Sequence, residues 1–300
     1  RFEVKERMLG LDDWFGYVRC QSCGSIQIES VPLDLSEYYP ATEYYSFAKH
    51  RNSLPVRLLK RLRYVASRSD NSLYRKLVAS VLGVPQYSRW FQGIDLSTDA
   101  RILDVGTGNG ALLFQMRDVG FSQLVGVDPF MGHEYDDGRL KLIRGNIFDV
   151  DSSFDYVMFN HSVEHAANQS DLLVHAKLLV GSDGLVLVRV PIVDEYGFGR
   201  FGISWSQLDA PRHLGIPSFD GLREFVTRLG FRIVCVRREF APHVIWYSLL
   251  YEMGYNMEDA KKHGWRNLMS SAEVEKAERL VAEYQSKDQG SAVLMWLKTG

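Results

Sequence analysis

A glycine-rich segment joins an apolar strand to a helix at residues 101–110, which read Arg-Ile-Leu-Asp-Val-Gly-Thr-Gly-Asn-Gly. The apolar side chains before the glycines predict a buried strand, and Ala111 begins a run with helical spacing. Glycines at such a junction let a ligand approach the backbone and meet the amides of the helix N-terminus. The segment therefore predicts a site for a nucleotide cofactor.

Two nucleotide cofactors fit the residues around these glycines. Gly106-x-Gly108-x-x-Ala111 satisfies the dinucleotide fingerprint, and Asp128 stands about twenty residues further on, where a ribose-binding acid belongs. Asp104 favours the other cofactor, because a carboxylate there would repel a pyrophosphate and attract the ammonium group of a methionine moiety. A catalytic Tyr-x-x-x-Lys is not evident either. S-adenosylmethionine is favoured, and an NAD(P)-dependent oxidoreductase is the alternative.

A cluster of polar side chains at residues 160–165 follows another apolar strand. In open α/β sheets ligands lie over the carboxyl ends of the strands, so His161 is a candidate catalytic base. Glu164 and His165 are expected to brace the loop and the helix after it. The spacing of His161 and His165 would also allow a zinc site, but a third ligand is not evident.

A second cluster lies in the long connection 194–218, and long connections after central strands are usually functional. Arg212 could hold a phosphate or carboxylate of a substrate through two parallel hydrogen bonds. His213 could act as a general base for an acceptor hydroxyl. The alternative is that Asp209 and Arg212 form an internal ion pair that folds the loop.

From residue 101 onward the sequence predicts alternating strands and helices, and these elements must position the side chains named above. The first 30 residues predict a small β element. The predicted strands of the larger sheet end at Gly106 or lie at 124–128, 140–144, 154–159, 184–190, 231–236 and 292–297. The predicted helices lie within 54–92, after Gly110 to about 120, and at 169–180, 218–229 and 244–286. The segment between Phe130 and Arg139 is predicted to be a loop.

Composition narrows the class of protein. Of 300 residues, 46% are hydrophobic and the formal net charge is −2, so the chain can bury a full core and lacks the basic surface of a nucleic-acid binder. Neither a membrane-spanning run nor a signal peptide is evident, and three cysteines do not make a disulfide framework, which together predict a cytoplasmic protein. The proposed division is 1–50, a helical cover at 51–98, and a cofactor domain at 99–300 with a helical insertion at about 244–286.

Two of these segments resemble motifs of a known enzyme family. Residues 103–110 resemble the first motif of class I S-adenosylmethionine-dependent methyltransferases, and Val163-Glu164-His165 resembles the fourth. The resemblance implies an α/β, Rossmann-like, seven-stranded methyltransferase sheet with strand order 3-2-1-4-5-7-6, strand 7 antiparallel and helices on both faces. It also implies cofactor contacts from a longer set of residues. These are Asp104, Gly106, Thr107, Gly108, Asn109, Gly110, Asp128, Pro129, Phe130, Asn146, Ile147 and Asn160.

Asn146 departs from the family pattern, which usually has an acid in contact with the adenine amino group at this position. An amide oxygen could still accept that hydrogen bond.

Other segments resemble a narrower group of methyltransferases found with surface-polysaccharide and sugar-nucleotide pathways. The element Asp-x-Pro-Arg-His-Leu at 209–214 is typical of them, and a tyrosine-rich segment like that around Tyr44 and Tyr45 leads into their cofactor domain as a lid or wall. Cys20-x-x-Cys23-Gly resembles an N-terminal zinc ribbon in which an earlier cysteine pair lies upstream. The pair is expected to form half of a zinc site, and two unmetallated thiols are the alternative.

The resemblance implies transfer of a methyl group to a small polar acceptor, with S-adenosylhomocysteine as product. The expected acceptor is a hydroxyl or carbon of a sugar nucleotide or surface glycan, with His161 and His213 as bases and with Tyr44, Tyr45 and Arg212 as substrate contacts. Neither a nucleic-acid partner nor an integral membrane segment is expected. Besides the oxidoreductase, a non-catalytic module that binds S-adenosylmethionine is an alternative.

Overall fold

The computed structural model describes residues 1–39, 54–68, 73, 77–78, 80–81, 86–287 and 290–300, and the structural statements below concern these residues. Tyr44 and Tyr45, which were predicted to contact the substrate, lie outside them.

From residue 101 onward helices separate several of the strands, as the sequence predicts, but within the described residues no α-helix lies between Asp128 and Tyr156. The strands are β1 (Phe2–Lys5), β2 (Trp14–Arg19), β3 (Ile26–Ile28), β4 (Arg101–Val105), β5 (Gln123–Asp128), β6 (Tyr135–Asp136), β7 (Leu140–Arg144), β8 (Tyr156–Asn160), β9 (Leu185–Pro191), β10 (Gly215–Ile216), β11 (Phe231–Glu239) and β12 (Ala292–Thr299). The helices are α1 (Leu54–Arg68), α2 (Gln86–Trp90), α3 (Ala111–Val119), α4 (Gln169–Val180), α5 (Phe198–Phe201), α6 (Phe219–Arg228), α7 (Pro242–Glu252), α8 (Met257–His263) and α9 (Ser271–Ser286).

Two sheets contain these strands. The smaller has the order β1-β2-β3-β10, and the larger has the order β11-β12-β9-β8-β4-β5-β7-β6. Strands β4, β5 and β7 run parallel, whereas β12 is antiparallel to β11. The predicted fold class, a mixed α/β fold with a mostly parallel central sheet and a small N-terminal β element, is confirmed. Without the short edge strand β6, the larger sheet has the order that the resemblance implies.

The residues form two compact units. The terminal unit consists of Arg1–Tyr39, Phe159–Val174 and Leu187–Gly300, and the middle unit consists of Pro40–Met158 and His175–Val186. Each is described by itself. The units join segments that are distant in the sequence, so the consecutive division at residues 50 and 98 stays a prediction.

The middle unit contains the glycine-rich segment. Strand β4 is buried at Ile102, Leu103, Asp104 and Val105, as expected for a strand of a parallel sheet that is covered on both faces. Helix α3 begins after Gly110, whose φ of 73° lies in the left-handed region that glycine adopts without steric cost.

At the edge of this unit, the prediction of a loop between Phe130 and Arg139 was partly wrong. Tyr135 and Asp136 of this segment form β6, which pairs antiparallel with β7. The Arg117 guanidinium donates to the Tyr135 hydroxyl at 2.8 Å and to the Asp137 carboxylate at 2.9 Å. A strand of two residues is too short to show any periodicity, so side-chain contacts define it instead.

In the terminal unit, a fourth strand that the sequence does not predict completes the N-terminal β element. Strand β10, within the long connection after β9, pairs antiparallel with β3. The buried Tyr17 of β2 donates its hydroxyl proton to the carbonyl of His213 at 3.0 Å, which fixes the same connection on the small sheet. The predicted helical stretch near the C-terminus is present as α7, α8 and α9, whose buried side chains share a core with β1–β3.

A buried carboxylate shapes the turn between β1 and β2. Glu6 is 1% exposed, and its Oε1 accepts hydrogen bonds from the amides of Met8 and Leu9 at 2.6 and 2.7 Å. Its Oε2 accepts from the amide of Leu11 at 2.9 Å. A carboxylate can accept at both oxygens, and each unpaired buried amide would cost the desolvation free energy of that group.

We expect Glu6→Gln to lower the free energy of unfolding by about 1–3 kcal/mol, because an amide has only one accepting oxygen for the three N–H groups. Urea unfolding of the full chain measures this change. The exposed Glu3 gives a matched control, and Glu3→Gln should leave the unfolding midpoint near wild type. Equal midpoints for both variants would contradict a stabilising role for the Glu6 carboxylate.

Candidate functional site

The middle unit brings the acidic and glycine residues of the predicted cofactor site together. Asp104 is 2% exposed at the end of β4, and the Thr107 hydroxyl donates to its Oδ2 at 2.9 Å. The amides of Gly106 and Thr107 both donate to the carbonyl of Val127 on β5, at 2.9 and 3.2 Å. The turn after β4 is therefore held on the neighbouring strand.

Asp128 ends β5 and joins the two loops. Its Oδ2 accepts from the amide of Gly108 at 2.8 Å, and its Oδ1 accepts from the amide of Phe130 at 2.8 Å. Burial raises the pKa of Asp128, and the two amide hydrogen bonds oppose that shift. The contact with Phe130 gives Asp128 a structural role in the turn after β5 as well. Each oxygen keeps a second lone pair, so a ribose contact stays possible for the same carboxylate.

Close packing beneath the turn explains why β5 carries a glycine. A Cβ on Gly126 would lie 2.7 Å from a methyl of Thr107 and 2.8 Å from methyls of Leu113 and Leu142. Side chains of the loop, the helix and the neighbouring strand thus meet over this glycine. Any larger residue would push the loop away from the sheet.

The residues that are predicted to contact the adenine differ in their exposure and hydrogen bonding. Phe130 is 42% exposed and available for stacking. Asn146 caps a short 3₁₀ helix, and its side-chain oxygen accepts from the amide of Phe148 at 2.8 Å. Ile147 is fully buried, so its side chain has no solvent-facing surface to offer a ligand.

The terminal unit contains the other predicted site residues. Asn160 ends β8, and both polar atoms of its amide are buried without a hydrogen-bond partner among the described residues. Buried amides are normally paired, so an orphan amide at a strand end is typical of a ligand-binding position.

His161 and Glu164 form a hydrogen-bonded pair. His161 has a φ of 51°, in the left-handed region, and its Nδ1 lies 3.1 Å from Oε1 of the fully buried Glu164. Burial opposes ionisation of Glu164, but the hydrogen bond from His161 and the charges of His161, His165 and His213 together hold its pKa below the ordinary value. The side chain of His161 is 33% exposed.

His165 and His213 pack against each other with ring centroids 4.6 Å apart. Nδ1 of His165 lies 3.0 Å from the carbonyl of Arg212 and 3.0 Å from the hydroxyl of Tyr39. Burial, followed by the charge of His213, lowers the pKa of His165 to about 4, so this imidazole is neutral at pH 7. His213 is 6% exposed, and its Nδ1 lies 2.7 Å from the carbonyl of Gln207.

Arg212 forms the internal ion pair that the sequence left open. One guanidinium nitrogen donates to both oxygens of Asp209, at 2.5 and 2.6 Å. Burial opposes ionisation of Asp209, but the charges of Arg212 and His213 hold its pKa below the ordinary value. The guanidinium fork that was predicted to bind a substrate anion is thus engaged within the loop, and the substrate role of Arg212 stays a prediction.

The cysteine pair lies on the turn after β2. Hydrogen bonds from the backbone amides of Cys23, Ser22 and Gly24, together with the thiol of Cys23, lower the pKa of the exposed Cys20. Among the described residues, a group of three potential metal ligands is formed by Glu164, His165 and His213 and does not include these cysteines.

The supporting partners in the terminal unit escaped prediction. Gln207 and Arg212 act on the two histidines through backbone carbonyls, for which side-chain identity carries no signal. Tyr39 contributes its hydroxyl group to the contact with His165. It lies in an aromatic segment whose sequence is equally typical of a hydrophobic core. Asp209 was predicted, as a partner of Arg212.

A cavity of about 640 Å³ is also present in the terminal unit. Its wall combines the strand edge at Gln27 with Glu164, Gln169, Ser170 and Arg228. Within the described ranges, no helix is both long and apolar enough to cross a membrane.

We expect Asp104→Asn to weaken S-adenosylmethionine binding by about 10–100-fold, because the amide can replace the carboxylate in shape but not in charge towards an ammonium group. Calorimetric titration of the full chain measures the affinity. Asp136→Asn, on the exposed edge strand β6, is the matched control and should bind as wild type does. Unchanged affinity of Asp104→Asn would refute the assignment of Asp104.

Comparison with known proteins adds short sequence matches and distant structural ones. The chain is 48% identical over 40 residues to EEF1A lysine methyltransferase 2 of Danio rerio and 45% identical over 40 residues to that of Homo sapiens. Each match covers 13% of this chain, which spans only 17% of the length of either relative.

Among solved structures, an S-adenosylmethionine-dependent methyltransferase from Mesorhizobium loti is 12% identical, with a TM-score of 0.46 over 71% of this chain and 97% of the other. The cyclopropane synthase MmaA2 from Mycobacterium tuberculosis is 14% identical, with a TM-score of 0.46 over 80% and 94%.

The family is shown by a match to a family model. Residues 50–236, more than half of the chain, match the model described as a methyltransferase domain. This range contains the glycine-rich turn, Asp128, the His161–Glu164 pair and the loop with Asp209 and Arg212. It decides between the two cofactors that the glycine spacing allowed. The chain belongs to the methyltransferase domain family.

Proposed function

We propose that the protein transfers the methyl group to a small polar acceptor, a hydroxyl or carbon of a sugar nucleotide or surface glycan, with His161 as general base. The observation that carries this proposal is the hydrogen bond from Nδ1 of His161 to the buried carboxylate of Glu164. A carboxylate that fixes one imidazole nitrogen leaves the other to take a proton from an acceptor.

The cofactor residues of the middle unit are part of the same proposal. We propose that Asp104 binds the ammonium group and Asp128 the ribose, while the backbone of the turn approaches the cofactor. Other contacts would come from Gly106, Thr107, Gly108, Asn109, Gly110, Pro129, Phe130, Asn146 and Ile147. S-adenosylmethionine supplies an electrophilic methyl group, so these residues need only bind and orient it. Asn160 of the terminal unit stays a predicted cofactor residue, supported by its orphan amide.

The base role of His161 rests on its tautomer and exposure. The carboxylate of Glu164 accepts the Nδ1 proton, which leaves the lone pair on Nε2 of His161. The side chain is partly exposed, so Nε2 can meet an acceptor without rearrangement of the core. His213 is the second predicted base, but it is buried and its Nδ1 is held by a backbone carbonyl. These contacts favour His161.

Polar groups within the cavity of the terminal unit support a polar acceptor. Gln27, Gln169 and Ser170 contribute amide and hydroxyl groups, and Arg19 and Arg228 add positive charge, while much of the remaining lining is apolar. Such a mixed lining suits a ligand that has an apolar face together with a few hydroxyls and an anionic group. The predicted contacts from Tyr44, Tyr45 and Arg212 remain part of this proposal.

A protein lysine is the second candidate acceptor, because the 40-residue match is to enzymes named for lysine methylation. A lysine ammonium must also lose a proton before it can accept a methyl group, so His161 would serve either acceptor.

Incubation of the purified protein with methyl-labelled S-adenosylmethionine and a cell extract tests the acceptor class. We expect label in the sugar-nucleotide or glycan pool after separation from protein and nucleic acid. Label confined to protein would favour the lysine acceptor and defeat the sugar proposal. An Asp104→Asn sample identifies incorporation that is not due to this protein.

We expect His161→Gln to lower turnover by about 100-fold or more, because glutamine keeps a polar side chain but cannot take up the proton. Its affinity for S-adenosylmethionine should stay near wild type. The exposed His263 provides the control, and His263→Gln should change neither quantity. A His161→Gln variant with wild-type turnover, beside a His213→Gln variant that has lost it, would transfer the base role to His213.

A further inference from the structure

Three side chains of the terminal unit converge on one point, and of these the proposed methyl transfer uses only Glu164, whose Oε1 orients His161. Glu164 and His165 come from the turn after β8, and His213 comes from the loop before β10. Each offers one potential ligand atom, and these atoms lie within 4.8 Å of one another. Two imidazoles and a carboxylate are a common set of protein ligands for a divalent transition metal.

Backbone carbonyls set the tautomers of the two histidines. A carbonyl oxygen can only accept, so Nδ1 of His213, 2.7 Å from the carbonyl of Gln207, must carry a proton. The same holds for Nδ1 of His165, 3.0 Å from the carbonyl of Arg212. Each ring therefore has its lone pair on Nε2. Metal-binding histidines are typically oriented in this way, with the other nitrogen donating to a carbonyl or carboxylate.

Only one oxygen of the Glu164 carboxylate is hydrogen-bonded within the described part of the chain. Its Oε1 is held by His161 at 3.1 Å, whereas its Oε2 is buried and has no hydrogen-bond partner among the described residues. The side chain is 0% exposed, so water does not satisfy this oxygen from the surface. An unpaired oxygen of a buried carboxylate is costly, and a cation bound there would offset that cost.

The charged groups around the cluster do not oppose the binding of a cation. Asp209 is paired with Arg212, so these two charges cancel locally. Oδ2 of Asp209 is 3.7 Å from Nε2 of His213, which is beyond hydrogen-bonding distance and leaves that nitrogen available.

We propose that Glu164, His165 and His213 bind a divalent zinc ion through one carboxylate oxygen and two Nε2 atoms. Zinc bonds to such atoms are about 2.0–2.2 Å long, so the three side chains would close around the ion by roughly 1 Å. Three protein ligands leave a coordination position open. Magnesium and calcium prefer oxygen ligands throughout and fit this set less well. The site makes His213 a metal ligand in place of a base, and it does not depend on the identity of the acceptor.

Zinc titration of a cysteine-free protein tests this site directly. Cys20→Ser, Cys23→Ser and Cys235→Ser first remove all three cysteines, which include the other candidate zinc ligands, and dialysis against a chelator removes bound metal. Competition with a chromophoric zinc chelator then gives stoichiometry and affinity, without any need for methyl transfer. We expect one equivalent of zinc in the cysteine-free protein, and at least about 100-fold weaker binding after Glu164→Gln or His213→Ala.

Matched variants separate loss of a ligand from loss of any acid or histidine. Glu258→Gln and His263→Ala alter exposed residues of α8 and should bind zinc as the cysteine-free parent does. His161→Ala removes only the hydrogen bond to Oε1, so we expect a smaller loss, of about 10-fold. Zinc binding that is absent from the parent, or that survives both Glu164→Gln and His213→Ala, would overturn the proposal.

Cobalt substitution of the parent keeps the test decisive if the ligand variants fail to fold. The Nδ1 protons of His165 and His213 should give two exchangeable, paramagnetically shifted resonances in the proton NMR spectrum. The absence of both resonances from a cobalt-loaded parent would contradict coordination by these rings. Failure of the acceptor experiment, by contrast, would leave both metal measurements unaffected.

Discussion

The middle unit depends on the carboxylate of Asp128, which holds two loops at the ends of neighbouring strands. One oxygen accepts from the amide of Gly108 and the other from that of Phe130, so the turns after β4 and β5 cannot move independently. A parallel sheet leaves backbone amides unpaired at such turns, and a buried acid satisfies them at little conformational cost. The close packing at Gly126 then keeps the turn near the sheet. The same contacts that stabilise the loop would also preorganise the proposed cofactor site.

In the terminal unit, a second buried carboxylate orders the ionisable side chains. Glu164 is ionised although it is fully buried, because the hydrogen bond from His161 and the surrounding imidazoles outweigh the cost of desolvation. The nearby charges of Asp209 and Arg212 satisfy each other, which keeps the guanidinium from neutralising Glu164. Asp209 and Arg212 lie three residues apart in the loop and neutralise each other. The loop therefore supports the site without adding a net charge to it.

The sequence predicted the parts of the molecule that have a repeating or chemical pattern. Long apolar runs predicted the longer strands between β4 and β12 to within a few residues, and the glycines after β4 predicted the turn. The sequence could not predict β6 and β10, because strands of two residues are too short to show periodicity. Strand β10 in addition depends on pairing with the distant β3, whereas β6 pairs with the nearby β7. For Arg212 the sequence left two roles open, since its type and spacing suit an external anion and Asp209 equally. The sequence suggested His161 and His165 as a possible zinc pair, whereas the cluster in the structure keeps only His165 and adds Glu164 and His213. His213 lies 48 positions after His165, and only the fold of the loop brings them together.

The two oxygens of the Glu164 carboxylate have different roles in the proposals for the terminal unit. If one oxygen sets the tautomer of His161 and the other binds a cation, one buried side chain connects a base to a metal site through a single carboxylate. Polarisation by the cation would draw electron density from the carboxylate and weaken its hold on the Nδ1 proton of His161. The orientation of His161 would become more rigid, because coordination fixes the carboxylate to which the ring is bonded. Metal binding and proton transfer would thus be coupled in this unit through Glu164, with no need for the ion to touch an acceptor.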